Sequence, residues 1–206
     1  MDTPYRIRLA LPDDLPVLAE IERAAAGQFR ATPYAWLADA PTVCPALLAA
    51  QQAKGWLWVV VNSANSPVGF AIVTEVDGEP HLQELDVHPQ HQGRRLGAAL
   101  IDAICAWARA ANFSGVTLST FRDIPWNGPY YRRLGFQPLA EVELGPELAA
   151  LRVEEERRGL KQADRVCMCR PLHPPDGGEA HLRLCSGQPS FHNFGPTIQT
   201  FQPNLQ

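Results

Sequence analysis

Between Leu85 and Leu100 the chain reads Leu-Asp-Val-His-Pro-Gln-His-Gln-Gly-Arg-Arg-Leu-Gly-Ala-Ala-Leu, a strand end, a short loop and a helix start in direct succession. The first amides of a helix lack intrahelical partners and lie at the positive end of its dipole, so a pyrophosphate can accept several of them. Gly93 and Gly97 would let a phosphate approach the backbone; the competing reading is that they serve only a tight turn and close packing. A Walker loop needs Gly-Lys-Ser/Thr where this chain has Gly97-Ala98-Ala99, and a dinucleotide fingerprint needs a third glycine, so both rival phosphate motifs are excluded.

The surrounding pattern sets the fold class. Tyr5 to Leu9 alternates like a strand, and Leu15, Leu18, Ile21 and Glu22 then recur at helical spacing. Prolines 33, 41 and 45 break the next stretch before a second helix over Ala46 to Ala53. Trp56–Val61, Val68–Val76 and His81–Val87 read as three consecutive strands separated by turn formers. From Leu96, the positions Leu100, Ile101, Ile104, Trp107 and Ala108 trace one face of a long helix. Val116–Thr120 is a strand, Pro129–Leu134 a short helix, Gly135-Phe136 leads into a further strand, Pro146–Arg158 is a helix and Arg165–Arg170 a last strand. An α/β (α+β) fold with a mixed, mostly antiparallel twisted sheet flanked by helices is expected. One domain over residues 1–172 accounts for the pattern, and 173–206, which shows no period, is expected to be a tail with little structure of its own.

Composition narrows the partners. With 46% hydrophobic and 19% charged residues the chain is an ordinary globular protein, and its net charge of −4, with basic residues clustered only in pairs, argues against nucleic acid. No apolar run is long enough to cross a bilayer and the N-terminus lacks a signal-peptide core, so a cytoplasmic location is expected and no membrane partner. Cys44, Cys105, Cys167, Cys169 and Cys185 form no disulfide framework, and their spacing with His173 and His181 matches no common zinc module, so no metal is expected. Abundant arginine and alanine against two lysines, Lys54 and Lys161, hints at a bacterial source.

A second motif follows one strand later: Trp126-Asn127-Gly128-Pro129-Tyr130-Tyr131-Arg132-Arg133-Leu134-Gly135-Phe136. Together the two segments resemble the GNAT superfamily of N-acetyltransferases, whose cofactor loop reads Gln/Arg-x-x-Gly-x-Gly/Ala, here Gln92 to Gly97. The resemblance runs from Tyr5 to about Leu172. It departs at Arg95, which stands where the family usually has glycine and is expected to take an ordinary negative φ.

The resemblance implies acetyl-CoA as co-substrate and direct attack on its thioester by a primary amine of a small molecule or peptide. It implies that Gln92, Gly93, Arg94, Arg95, Leu96, Gly97 and Ala98 hold the pyrophosphate. Leu85, Asp86 and Val87 would lie along the pantetheine arm with the Val87 amide on the carbonyl, and Asn127 would touch the cofactor. Tyr131 would protonate the departing thiolate, its phenol being neutral at pH 7. The base is a choice between Glu84, preferred, and His81, which strand alternation puts on opposite faces unless a bulge shifts the register; Asp86 shares the face of Glu84. Asp123 is a candidate for holding the acceptor's cation, and Gln28–Ala50 with Tyr34, Trp36, Phe29 and Trp126 a candidate acceptor lining. A homodimer is compatible with this chain. The competing functions are a regulatory module that binds acyl-CoA without catalysis and an interaction domain with a vestigial loop.

Overall fold

A computed structural model describes residues 4–172; the tail 173–206, with His173, His181 and Cys185, lies outside the described residues. Seven strands form one sheet in the order β1-β2-β3-β4-β5-β7-β6: β1 (Arg6–Leu9), β2 (Leu57–Val61), β3 (Pro67–Val76), β4 (Glu79–Val87), β5 (Gly115–Phe121), β6 (Gln137–Pro138) and β7 (Arg165–Pro171). Every neighbouring pair is antiparallel except β4 and β5. The mixed, mostly antiparallel sheet is therefore the one the sequence predicts. The strand after Gly135-Phe136 is the exception in length, since it amounts to two residues at the sheet edge.

Helices cover both faces. On one side α3 (Leu96–Ala110) buries Leu100, Ile101, Ile104 and Ala108 against Val60, Ala71, Val73, Leu118 and Met168. On the other, α1 (Leu15–Ala26) and α2 (Pro45–Lys54) bury Leu18, Ile21 and Leu48 against Leu57, Val59, Phe70 and Ile72. Covering both faces is why β2, Leu-Trp-Val-Val-Val, is buried at every position and shows no alternation. Side chains of this size each contribute about 1.5–3 kcal/mol when fully buried, so the two helix layers fix the central strands firmly.

The β3–β4 turn also anchors α5 (Pro146–Arg157). Asp77 and Gly78 take φ of 54° and 76°, the left-handed pair that a tight hairpin requires. The Asp77 carboxylate then accepts the α5 amides of Glu147 and Leu148, each at 2.9 Å, at the positive end of that helix. In this way α5 is laid over β5 and β7 on the α1 side. Among the described residues no helix is long and apolar enough to cross a membrane.

Candidate active site

The single parallel pairing positions the site. β4 and β5 are in register only at His81↔Thr117 and Leu82↔Leu118, after which no further pairing joins them. From Glu84 and Ser119 onward the strands splay, and β4 offers an unpaired edge. The direction of that edge follows from one bond: the His88 amide donates to Val68 O on β3 at 2.9 Å. Alternation turns the Asp86 amide toward β3 as well, which leaves the amides of Leu85 and Val87 pointing into the splay.

A bulge sets what the side chains do. The pairing of β3 with β4 passes from Ile72↔Glu84 to Val73↔Leu82, so Gln83 is an extra residue opposite one step of β3. As a result His81, paired with Thr74, and Glu84, paired with Ile72, share the α1 face, together with Asp86. Simple alternation would have separated His81 from Glu84. They are nevertheless in different surroundings. His81 is buried, its Nδ1 3.0 Å from Thr117 Oγ1, and burial pushes the imidazole down to about 4, so the ring is neutral at pH 7. Glu84 is half-buried at the mouth of the splay, where burial and then the charge of Glu22 push its carboxyl up to about 7. Asp86 is raised well above the usual carboxylate range by burial, Glu84 and Glu22, and its Oδ2 has no hydrogen-bond partner among the described residues.

The loop after β4 turns through Pro89–His91, and Gln92 ties it back by donating from Nε2 to Val87 O at 3.1 Å. Gly93 takes φ of 76°. Arg95 does not adopt the negative φ expected of it: at φ 60° and ψ 22° it occupies the left-handed region as the N-cap of α3. The turn into α3 requires that conformation whatever the residue, at a cost of about 1–2 kcal/mol for a side chain with a Cβ. Gly97 has a packing reason, since a Cβ there would lie 2.9 Å from the Tyr130 hydroxyl. The first amide of this region with a backbone acceptor is that of Ala99, bonded to Arg95 O at 3.0 Å. Among the described residues the amides from Gly93 to Ala98 have no acceptor, and Gln92, Gly93, Arg94 and Arg95 are exposed. A left-handed residue opening a helix and a run of free amides, with exposed Arg95 beside them, form the kind of backbone arrangement that can accept an anion.

Across the splay stands α4 (Gly128–Arg133). Gly128 presses against the end of β5, where a Cβ would collide with the carbonyl oxygen of Arg122. Tyr131 is thereby placed beside Glu84 and Asp86, both of which, with burial as the largest cause, drive its phenol upward; its hydroxyl has no hydrogen bond among the described residues. Tyr130 packs instead, its hydroxyl against Gly97 and its ring 5.5 Å from that of Tyr131. Asn127, the N-cap of α4, has a buried Oδ1 without a partner among the described residues, an acceptor open to a donor. These orphaned groups fit an amide-bearing thioester carrier lying along the β4 edge.

Some residues of the site are not among those the sequence points to. Glu22 on α1 faces Glu84 and accepts the Val43 amide at 2.9 Å. Arg165 on β7 is buried, pairs with Glu155 of α5, donates to Ser119 Oγ at 3.2 Å and stacks over Phe121 at 4.8 Å. The helical period that includes Glu22 with Leu18 and Ile21 is the one signal that could have placed it on the inner face. Asp123 lies exposed beyond β5, beside Trp126.

Comparison with known proteins agrees with this geometry. Residues 53–138 match a family model described as an acetyltransferase (GNAT) domain. A mycothiol acetyltransferase from Nocardiopsis dassonvillei is 32% identical over 40% of this chain, which spans about a third (32%) of that relative's length. Among solved structures, a GNAT-family acetyltransferase from Staphylococcus aureus superposes with a TM-score of 0.63 at 14% identity, covering 82% of this chain and 99% of its own. PaiA N-acetyltransferase from Thermoplasma acidophilum, in complex with coenzyme A, gives 0.62 at 13% identity over 82% and 99%. The ribosomal-protein-S18-alanine N-acetyltransferase from Escherichia coli gives 0.57 at 19% identity over 85% and 97%. With the splayed sheet and the helix-capping loop in place, residues 53–138 match the GNAT acetyltransferase domain and the fold is the one seen in GNAT-family acetyltransferases.

Proposed function

We propose that this chain is an N-acetyltransferase that moves the acetyl group of acetyl-CoA to a primary amine by direct attack in a ternary complex. The observation that carries the proposal is the coincidence, at one splay, of the free amides from Gly93 to Ala98, the unpaired edge at Leu85 and Val87, and the facing pair Glu84 and Tyr131. The helix start holds the pyrophosphate, the β4 edge and Asn127 hold the pantetheine arm, and the Val87 amide receives the growing charge on the carbonyl oxygen.

The acceptor enters as an ammonium and must shed one proton before it attacks and another after the C–N bond forms. Glu84, titrating near 7, suits the first transfer, directly or through a water, because a base is most effective when its pKa lies near the working pH. As the C–S bond breaks, the thiolate takes the phenol proton of Tyr131, which the second proton from nitrogen then replaces. His81, neutral and engaged with Thr117, supports β5 rather than the reaction.

The test is thiol release from acetyl-CoA with polyamines, aminoglycosides, amino acids and peptide N-termini as acceptors. Amine-dependent release with a matching acetylated product is the expected result. Thermal stabilisation by coenzyme A with no release for any acceptor would instead identify a binding module, and the absence of any coenzyme A binding would remove the proposal altogether.

A further inference from the structure

Next to the splay, between the segment that follows α1 and the loop that follows β5, lies a cavity of about 430 Å³. Its walls are aromatic and apolar: Tyr34, Phe121, Ile124, Pro125 and Trp126, with Asp123 at the rim. Tyr34 and Phe121 stack at 4.5 Å between centroids, and the Tyr34 hydroxyl is fixed by donating to Asp164 Oδ2 at 2.5 Å. These walls are therefore preformed. Trp126 is 36% exposed and meets the Phe29 ring edge-on at 6.0 Å between centroids, which completes the aromatic wall. Phe121 also links the cavity to the reacting groups. It lies two residues beyond Ser119 on the same face of β5, under Arg165, whose charge reaches Glu84.

The charges around this space are one-sided. Arg165 is committed to Glu155, Arg122 donates to the carbonyls of Ala163 and Arg165, and Arg30 pairs with Asp39. No ion pair among the described residues engages Glu22, Glu84, Asp86 or Asp123. Asp86 is 9% exposed, with Oδ2 unpartnered among the described residues. Such a group, buried without a donor, awaits one from a ligand. Among the described residues no cation lines the cavity, so an acceptor's carboxylate would go unpaired and would add a negative charge beside Glu22, Glu84 and Asp86, acids whose own ionisation burial already disfavours.

We propose that the acceptor is an amine carried on a flat apolar body with no free carboxylate beside the amine, the body filling the Tyr34–Phe121–Trp126 cavity and the ammonium facing Glu22, Glu84 and Asp86. This inference rests on the N-acetyltransferase reading and names the substrate class of the same site. A small arylalkylamine and the aromatic N-terminus of a peptide share this chemistry.

Thiol release by the full chain at saturating acetyl-CoA tests it with four probes: 2-phenylethylamine, phenylalanine amide, phenylalanine and 1,4-diaminobutane. The first two are expected to be acetylated, and their ratio distinguishes the small-molecule source from the peptide source. Phenylalanine should fall about a hundredfold lower in kcat/KM, since its carboxylate would be desolvated among acids with no cation to pair with. With the phenylethylamine probe as acceptor, Trp126→Ala should raise the amine KM about tenfold through the lost aromatic wall, without a matching rise for acetyl-CoA. Phenylalanine or 1,4-diaminobutane as the preferred acceptor, or an amine KM indifferent to Trp126→Ala, would overturn the inference while leaving an N-acetyltransferase. Release with no amine at all would overturn both.

Discussion

Glu84→Gln should make the protein more stable at pH 8 than the native chain, and about equally stable at pH 4.5. The carboxyl of Glu84 titrates near 4.5 when the chain is unfolded and at about 7 in the folded protein, because burial and Glu22 disfavour its charge. Its folded pKa is raised, so between these values the folded state holds a proton that the unfolded state has released. Stability then falls as pH rises through that window. At about 1.4 kcal/mol per pH unit the full span amounts to about 3 kcal/mol. The neighbouring Glu22 and Asp86 share the burden of ionisation, so about 2 kcal/mol is expected for Glu84 alone. Glutamine keeps the shape and removes the titration. Urea unfolding of both proteins at pH 4.5, 6 and 8 measures the difference directly. Stability curves that run parallel from pH 4.5 to 8 would show that Glu84 is not held in a charge-disfavouring site, and the assignment of a base near neutrality would go with it.

Three further outcomes follow from the same site. On the proposed mechanism Tyr131→Phe removes the proton donor for the departing sulfur but keeps the ring packed on Phe136; kcat should fall about a hundredfold with little change in acetyl-CoA KM, and unchanged turnover would take the phenol out of the mechanism. Gly97→Ala puts a Cβ 2.9 Å from the Tyr130 hydroxyl and should cost about 1–2 kcal/mol in denaturant unfolding. Tyr130→Phe in the same chain should recover most of that loss, and no recovery would place the strain elsewhere. Arg95→Gly relieves the left-handed backbone at φ 60°, offset by glycine's greater freedom in the unfolded chain. It should raise stability by about 0.5 kcal/mol while weakening coenzyme A binding and its dependence on salt; a clear loss of stability would mean that the guanidinium, not the turn, holds the loop.

The strand–loop–helix at Leu85–Leu100 is legible because its signals are local: a stop at His88-Pro89, glycines in the turn and a helical period after it. Most elements are readable on the same ground, and observed limits such as Pro45–Lys54 and Gly128–Arg133 differ from the expected ones by a residue or so. Arg95 departs from expectation because local propensity disfavours a side chain at positive φ, and the geometry of the turn overrides it. Glu22 is legible as part of the α1 period, but its role is hidden for a different reason. A carboxylate on a helix looks solvated until the sheet it packs against is known to carry Glu84 and Asp86. The buried Arg165–Glu155 pair joins residues on a strand and a helix whose packing no local pattern specifies.

The bulge at Gln83 is where fold and site meet. Without the extra residue, the period-two alternation of β4 would carry Glu84 and Asp86 to the α3 face, into the apolar layer of Leu100 and Ile101, and turn Leu85 toward Glu22. With it, Leu82 stays in that layer while the next part of the strand presents carboxylates to the α1 side and main-chain amides to the splay. The same inserted residue lies at the point where pairing with β5 ends, after Leu82↔Leu118. A single irregularity thus separates the half of β4 that builds the core from the half that, on the proposed reading, meets a thioester and an amine, which is why the β4 candidates fall between Glu84 and Val87 while His81, three residues earlier, belongs to the interior.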